Sequence, residues 1–256
     1  MKLQCKTEQL KNAVSLAEKM TGKNLTLPTL HAILLIASGK SLKIRSTNLA
    51  VGIEIEIPAT IEQEGSVLIK GEVLSSVAGN IPPKHDVSLS LEQENLKVSS
   101  EGSTTIIKCL PLEDFPTLPL VEGESFEIKS SVLQEGIRSV YFCAATTEIK
   151  PEIASIFIYT DQDTLIFVAT DSFRLAEKRI KIKHLPEISK ILIPYKSISD
   201  ILRVIDLFSG DIKISFNRNQ LSIAGGGVYF TTRLIDGAFP DYKIIIPKEE
   251  KTKVVV

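Results

Sequence analysis

The feature that most constrains the fold of this chain is an internal repeat. Residues 42–57 (LKIRSTNLAVGIEIEI) align with residues 165–180 (LIFVATDSFRLAEKRI) at a constant shift of 123 positions. Together with the three blocks below, whose shifts agree with it within two residues, this alignment is not a chance match. The chain therefore contains two copies of a unit of about 120 residues. Three further blocks align at shifts of 124, 125 and 124: residues 67–81 with 191–205, 86–102 with 211–227, and 115–116 with 239–240. The repeat predicts a first domain at residues 1–121, a second at 122–247 and the start of a third at 248–256.

Each copy shows the same order of secondary-structure signals. A short strand leads into a helix whose apolar residues recur at helical spacing. These residues are Leu10, Ala13, Val14 and Ala17 in the first copy and Val132, Leu133, Ile137 and Val140 in the second. Alternating strands follow, then a second short helix at residues 72–79 or 197–206, then a pair of strands. The order predicts an α+β fold in which each copy packs two helices on antiparallel β-sheets.

Charge and cysteine content exclude several classes of protein. The chain has 30 Lys and Arg against 31 Asp and Glu, so its net charge of −1 does not indicate a general polyanion binder, although one basic face stays possible. Cys5, Cys109 and Cys143 are too few and too scattered for a disulfide framework. The N-terminus has no apolar signal region, and no run approaches the roughly 18 apolar residues of a membrane span. We expect a cytoplasmic protein with no membrane partner.

The sequence contains none of the common catalytic motifs, so we predict no catalytic residue, no cofactor and no metal site. Walker, dinucleotide-binding, nucleophile-elbow and zinc-protease patterns do not occur. The glycine run at residues 225–227 stands between two strand-like segments, which indicates a hairpin turn and not a phosphate cradle. His31, His85 and His184 fall in different predicted segments, so they do not suggest a shared site.

Asp171 is the strongest candidate for a catalytic residue, because the polar residues Thr170, Ser172 and Arg174 lie beside it in the sequence. Its counterpart in the first copy, however, is Asn48. A position that alternates between Asn and Asp at a corner between strands is typical of a turn, since both side chains accept hydrogen bonds from nearby backbone. An enzyme built around Thr170, Asp171 and Arg174 stays open as an alternative, and its turnover would be lost in Asp171→Ala.

Five segments together resemble the bacterial sliding clamp, the beta subunit of DNA polymerase III. They are LPTL at 27–30, STNLAVGIEIEIPA, LPLEDFPTLP, VATDSFRLAEKRI and FTTRLIDGAFPDYKIIIP at 230–247, and the resemblance spans essentially all 256 residues. It implies the DNA-clamp fold and a non-enzymatic processivity factor for DNA replication. Members of the family carry three such copies, and two protomers close head to tail into a homodimer ring around double-stranded DNA. The ring tethers polymerases and other replication and repair proteins.

The resemblance also implies a peptide-binding groove. In the family this groove receives short linear peptides from the DNA polymerase III alpha subunit and the clamp loader. Carried over by position, its lining here would be Ile153, Thr170, Ser172, Phe173, Arg174, Leu175, Pro240, Ile244 and Ile245. Apolar walls would hold the hydrophobic anchors of a peptide, while an arginine and a hydroxyl would fix its backbone. The family favours Gly-His where this chain has Ser172-Phe173, and a cation where Ile244 stands, so we expect a narrower and more apolar groove.

A sliding ring needs weak, sequence-independent attraction to phosphates from cations on its inner helices. The candidate DNA-facing residues are Lys11, Lys19, Lys23, Arg138, Lys150, Lys196 and Arg203. The second helix of the first copy, GEVLSSVAGN, carries no cation. We therefore expect a less positive inner surface than is usual in the family. A peptide-binding scaffold that does not encircle DNA is the alternative.

The end of the sequence bears on assembly. Residues 251–255 stand where the first strand of a third copy would begin. Either the chain is a fragment of a three-domain clamp, or it is a two-domain clamp that closes as a trimer, as eukaryotic and archaeal clamps do. The unpaired run VVV favours a fragment, because an exposed β-branched strand is an edge liability. We expect a monomer or weak oligomer, with residues 98–110 offering a surface for ring closure.

Overall fold

The structure of the protein is a computed structural model. It describes residues 1–22, 27–83, 85–112, 115–147, 149–183, 185–188 and 190–246. Lys23, His184 and the predicted start of a third domain at 248–256 lie outside the described residues. The chain divides into two compact units. Unit 1 comprises Met1–Glu135 with Lys196–Leu234, and unit 2 comprises Gly136–Tyr195 with Ile235–Val256.

Unit 1 is built on a large antiparallel sheet. Its elements are β1 (Lys2–Lys6), α1 (Thr7–Lys19), β2 (Ala32–Ser38), β3 (Ser41–Thr47), β4 (Val51–Gln63), β5 (Gly65–Lys70), α2 (Gly71–Asn80), β6 (Asp86–Glu92), β7 (Asn95–Ser100), β8 (Ser103–Lys108), β9 (Glu124–Lys129), β14 (Asp211–Phe216), β15 (Gln220–Gly225) and β16 (Val228–Arg233). The strand order is β8-β7-β6-β1-β4-β16-β15-β14-β9, and β2, β3 and β5 attach to it through β3–β4 pairing. Strand β4 is the junction, since it pairs with β1, β3 and β16.

Unit 2 contains a separate four-stranded sheet. Its strands are β10 (Ser155–Asp161), β11 (Thr164–Thr170), β12 (Leu175–Lys181) and β13 (Ile191–Pro194), in the order β12-β11-β10-β13. Strand β11 is buried from Leu165 to Thr170, as expected for a strand that is covered on both faces. Helices α3 (Ser130–Val140) and α4 (Tyr195–Ile205) each cross the boundary between the units.

A cluster of apolar side chains forms the core beneath one face of this sheet. Phe157, Ile166, Val168, Leu192 and Tyr242 are buried together. Tyr159, Leu175, Ile235 and Phe239 pack against them and are partly buried. The cluster therefore joins the start of β12 to the segment that follows residue 235.

The predicted fold class, the two short helices and the glycine turn are confirmed. The fold is α+β, and the predicted helices at 72–79 and 197–206 correspond to α2 and α4 within two residues at each end. Gly226 and Gly227 have φ of +52° and +79° between β15 and β16, so the glycine run is a hairpin turn. The three cysteines are free thiols. Among the described residues no helix is long and apolar enough to cross a membrane.

The two units do not coincide with the two sequence copies. Strands β9 and β14–β16 come from the second copy, yet they belong to unit 1 because β16 pairs with β4 of the first copy. The predicted boundary near residue 121 stays a prediction from the repeat.

Candidate functional site

The end of β11 turns sharply into β12, and we name residues 170–174 the second corner. The Thr170 hydroxyl donates to the carbonyl of Arg174 at 2.8 Å and accepts from the amide of Ser172 at 3.1 Å. Asp171 Oδ1 accepts the amides of Phe173 and Arg174, each at 3.0 Å. Its other oxygen accepts Arg174 Nε at 3.0 Å. The side chains of Thr170 and Asp171 thus close the corner.

The turn between β3 and β4 has the same hydrogen bonds, and we name residues 47–51 the first corner. The Thr47 hydroxyl donates to the carbonyl of Val51 at 2.7 Å and accepts from the amide of Leu49 at 3.0 Å. Asn48 Oδ1 accepts the amides of Ala50 and Val51 at 3.0 and 2.9 Å. The repeat is therefore one of backbone geometry as well as sequence, and Asp171 has the role of a turn residue, as predicted.

Both corners place a residue other than glycine in a left-handed conformation. Leu49 has φ of +74° and Ser172 has φ of +77°. This conformation costs an L-residue about 1–2 kcal/mol, whereas glycine adopts it without that penalty. The glycine that the resemblance leads us to expect at position 172 would therefore suit the corner, and Ser172 occupies it under strain.

We expect Asp171→Asn to leave stability at neutral pH nearly unchanged, because an amide oxygen can accept the same two backbone bonds, as Asn48 does. Backbone bonds from Phe173 and Arg174, followed by the Arg174 side chain, hold the pKa of Asp171 below its ordinary value of 3.8. A lowered pKa contributes stability that is present above 3.8 and is lost as pH falls through the folded-state value. Urea unfolding from pH 2 to pH 7 should show a weaker acid dependence in the variant.

The control for Asp171→Asn is the reciprocal change at the first corner. Asn48→Asp should keep neutral stability and strengthen the acid dependence, since backbone amides would stabilise its carboxylate in the same way. A large loss of neutral stability in Asp171→Asn would show that Asp171 does more than close a turn.

The second part of the candidate site is the segment 239–245. Tyr242 is buried and fixes this segment to the sheet: its hydroxyl donates to the Glu177 carboxylate and lies 2.7 Å from the Tyr159 hydroxyl. Burial, followed by these hydrogen bonds, raises the pKa of Tyr242 far above its ordinary value. The carboxylate also accepts Arg179 Nε at 2.7 Å. Tyr242 therefore stays protonated and holds its neighbours in place.

Around these fixed points the predicted groove residues differ in exposure. Phe173 is 97% exposed, Ile244 80% and Ile245 62%, whereas Thr170 is buried. Ile153 is half-buried and Pro240 is exposed. Leu175, the residue directly after the corner, and Phe239, from the segment, pack on the same apolar cluster. Both predicted walls thus rest on one core. The Thr170 proton is already donated within the corner and Arg174 Nε donates to Asp171, so the terminal nitrogens of Arg174 and the Ser172 hydroxyl are the side-chain groups of the corner that can donate to a peptide.

The candidate DNA-facing cations lie on several elements. Lys11 and Lys19 are on α1, Arg138 is on α3, and Lys196 and Arg203 are on α4. Lys150 lies in a turn before β10, contrary to the expectation that these cations are carried by helices. Lys11 Nζ donates to the Gly79 carbonyl at 3.0 Å, and Arg203 pairs with Asp200 at 2.8 Å. The pairing reduces the positive charge that Arg203 can offer to phosphates.

The surface predicted for ring closure is an exposed edge with a cavity. Strand β8 ends the order of the large sheet, and Ile106 in it is 66% exposed. A cavity of about 950 Å³ opens beside it, with Val73, Leu91 and Leu112 also in its lining. The sequence indicated residues 98–110, and Val73, an exposed apolar residue of α2, also lines this cavity.

No group of three or more His, Cys, Asp or Glu in the described part of the chain is placed to hold a metal ion. His85 Nδ1 lies 2.6 Å from a carboxylate oxygen of Glu101. The geometry at the second corner and the segment 239–245 offers turns, apolar surface and an arginine, which suit the binding of a peptide.

Comparison with known proteins agrees with this geometry. The family model for the N-terminal domain of the DNA polymerase III beta subunit matches residues 1–119, and that for its central domain matches residues 127–241. The beta sliding clamp of Synechococcus elongatus is 26% identical over 263 residues, with 100% of this chain and 70% of that protein covered. These matches place the chain in the class of DNA polymerase processivity clamps.

Solved structures show the same fold. The Bacillus subtilis sliding clamp has a TM-score of 0.90 at 26% identity, with 97% of this chain and 68% of that one covered. The Pseudomonas aeruginosa clamp bound to griselimycin has a TM-score of 0.92 at 25% identity, covering 98% and 69%. The chain belongs to the family of DNA polymerase III beta subunits, and the predicted clamp fold is confirmed.

Proposed function

We propose that this protein is a sliding clamp that tethers DNA polymerase III and other replication and repair proteins to duplex DNA through the groove in unit 2. The observation that carries the proposal is the joint anchoring of the second corner and the segment 239–245 on one core cluster. The match to the beta-subunit central domain spans the corner and the first three residues of that segment, 239–241. Exposed Phe173, Ile244 and Ile245 supply apolar contacts for an extended peptide, and Arg174 supplies a charged donor.

Two domains, at 1–121 and 122–247, stay our reading of the repeat. In this reading, contact with DNA is weak and independent of the DNA sequence. It is provided by Lys11, Lys19, Lys23, Arg138, Lys150, Lys196 and Arg203.

A peptide-binding scaffold that does not encircle DNA is the second candidate, and the absence of any cation from GEVLSSVAGN favours it. Salt-dependent association with duplex DNA separates the two. We expect no catalytic activity in either case.

Assembly is expected to depend on complementary surfaces. A head-to-tail ring joins two different surfaces, each of which must meet its complement. The edge at β8, with Ile106 and Val73, is our candidate for one of them. The match to the Synechococcus elongatus clamp covers 70% of that protein, so the rest of it has no counterpart in these 256 residues.

We expect the 256-residue chain to be monomeric or weakly associated at micromolar concentration and to bind DNA weakly. The few cations meet phosphates over a partial arc, so the affinity should fall steeply as salt rises. Light scattering measures the mass, and retention on circular against linearised plasmid measures encirclement. A stable trimer that is retained on circular DNA and lost on linearisation would show instead a two-domain clamp.

A further inference from the structure

A second cavity lies in unit 1, beside the first corner. It has a volume of about 240 Å³, and its apolar wall is formed by Leu49, Ala50, Val51, Pro116 and Pro119. The repeat relates the first corner to the second corner, and Pro116 to Pro240. The cavity is thus bounded by the first-copy counterparts of the two walls proposed for the groove in unit 2.

The residues that line the opposite side of this cavity also belong to unit 1. Thr231, Thr232 and Arg233 at the end of β16 line it, together with Gln220. The Arg233 amide donates to the Ala50 carbonyl at 2.9 Å, which fixes the end of β16 against the first corner. The cavity is therefore enclosed by a corner, a connecting segment and a strand.

The connecting segment 116–121 is held firmly. The Tyr229 hydroxyl donates to the Pro119 carbonyl at 3.0 Å and accepts from the Val121 amide at 2.9 Å. Leu118 lies directly over Gly52, where an added Cβ would come within 2.3 Å of Leu118 Cδ2. Walls that are already fixed lower the entropic cost of binding a ligand.

A second, more polar cavity of about 650 Å³ continues from the first. The two share Gln220 and Arg233, and the second adds Arg218, Asn217 and Asn219. Among the described residues that line the two cavities there are two arginines and no carboxylate. The groove therefore passes from an apolar end at the first corner to Arg233, which lines both cavities.

We propose that this groove, lined by residues 47–51, 116–119 and 231–233, is a second docking site for an extended acidic peptide. One apolar side chain of the peptide occupies the smaller cavity, and an Asp or Glu that follows it pairs with Arg233. An arginine fork recognises a carboxylate by charge-assisted hydrogen bonds, and the amide side chains of Asn219 and Gln220 beside it can pair with peptide backbone. The Asn217 side chain is already bonded to the Glu122 carbonyl and to the backbone amides of Asn219 and Gln220. The site lies wholly within unit 1 and does not depend on the groove in unit 2.

The test is a titration of ¹⁵N-labelled protein followed by amide chemical shifts. The probe is the synthetic peptide Gly-Leu-Phe-Gly-Asp-Glu, and its neutral match is Gly-Leu-Phe-Gly-Asn-Gln. We expect saturable shifts at Leu49, Ala50 and Arg233, with affinity for the acidic peptide about fivefold higher. Signals of residues 170–175 report the groove in unit 2 separately, so failure of one site is distinguishable from failure of the other.

Two variants and a control complete the test. Arg233→Gln should remove the preference for the acidic peptide, and Ala50→Trp should abolish the shifts at the first corner by filling the exposed entrance. Lys213→Gln removes a cation from β14 outside the groove and should change nothing. Shifts that never appear at the first corner, or that persist unchanged in both Arg233→Gln and Ala50→Trp, would overturn the proposal.

Discussion

Arg174→Ala combined with Ile245→Ala should weaken binding of an extended peptide with two hydrophobic anchors by about 1–3 kcal/mol, or roughly 5- to 150-fold. That range covers the loss of a charge-assisted hydrogen bond or a buried aliphatic contact. Arg174 Nε is bonded to Asp171, which leaves its terminal nitrogens as donors for a peptide, and Ile245 is 62% exposed, so a peptide can still bury it. We expect the parent chain to bind the peptide with a Kd of roughly 1 mM, because the peptide contacts only the walls within unit 2 and buries little apolar surface there.

Fluorescence anisotropy with a labelled peptide measures this change. Lys181→Ala is the matched control, since Lys181 is exposed at the far end of β12 from the corner. Nanomolar binding that survives the double substitution would contradict the assignment of the groove.

Gly136→Ala in α3 should destabilise the protein by about 2 kcal/mol, although alanine favours helices by about 1 kcal/mol over glycine. A Cβ on Gly136 would lie 2.3 Å from two ring atoms of Phe167 and 2.5 Å from a third. Phe167 is fully buried in β11, so its ring has little room to move. The helix and the strand must separate, which would disturb the strand that leads into the second corner.

Gly79→Ala in α2 is the matched control for this substitution. An added Cβ there meets nothing within 4 Å, so only the gain in helix propensity, up to about 1 kcal/mol, should remain. Urea unfolding of the two variants should therefore give shifts of opposite sign. If Gly136→Ala stabilises the protein as Gly79→Ala does, the close packing of α3 on β11 is wrong.

Much of the fold could be predicted because each local sequence pattern occurs in both copies of the repeat, so each copy supports the prediction made from the other. The pairing of Asn48 with Asp171 predicted a turn at that position, and both corners confirm it with the same bonds. Helix α1 was predicted from the spacing of Leu10, Val14 and Ala17, which are all buried. Local periodicity determines such elements, so one sequence is enough to find them.

Long-range pairing was not predictable in the same way. Strand β16 of the second copy joins β4 of the first, and this pairing, which no local pattern encodes, makes the units differ from the copies. The anchoring of Tyr242 depends on Glu177 and Tyr159, which lie 65 and 83 positions away. The left-handed φ of Leu49 and Ser172 is imposed by the corner's hydrogen bonds against the preference of both residues.

A crystal structure of the 256-residue chain with an extended, doubly anchored peptide would test the central claim most directly. The proposal predicts peptide density against Arg174 and Leu175 on one side and Pro240 and Ile245 on the other, with Tyr242 still bonded to Glu177 beneath it. Peptide bound elsewhere, with the surface between residues 170–175 and 239–245 empty, would contradict the claim that this site tethers partners.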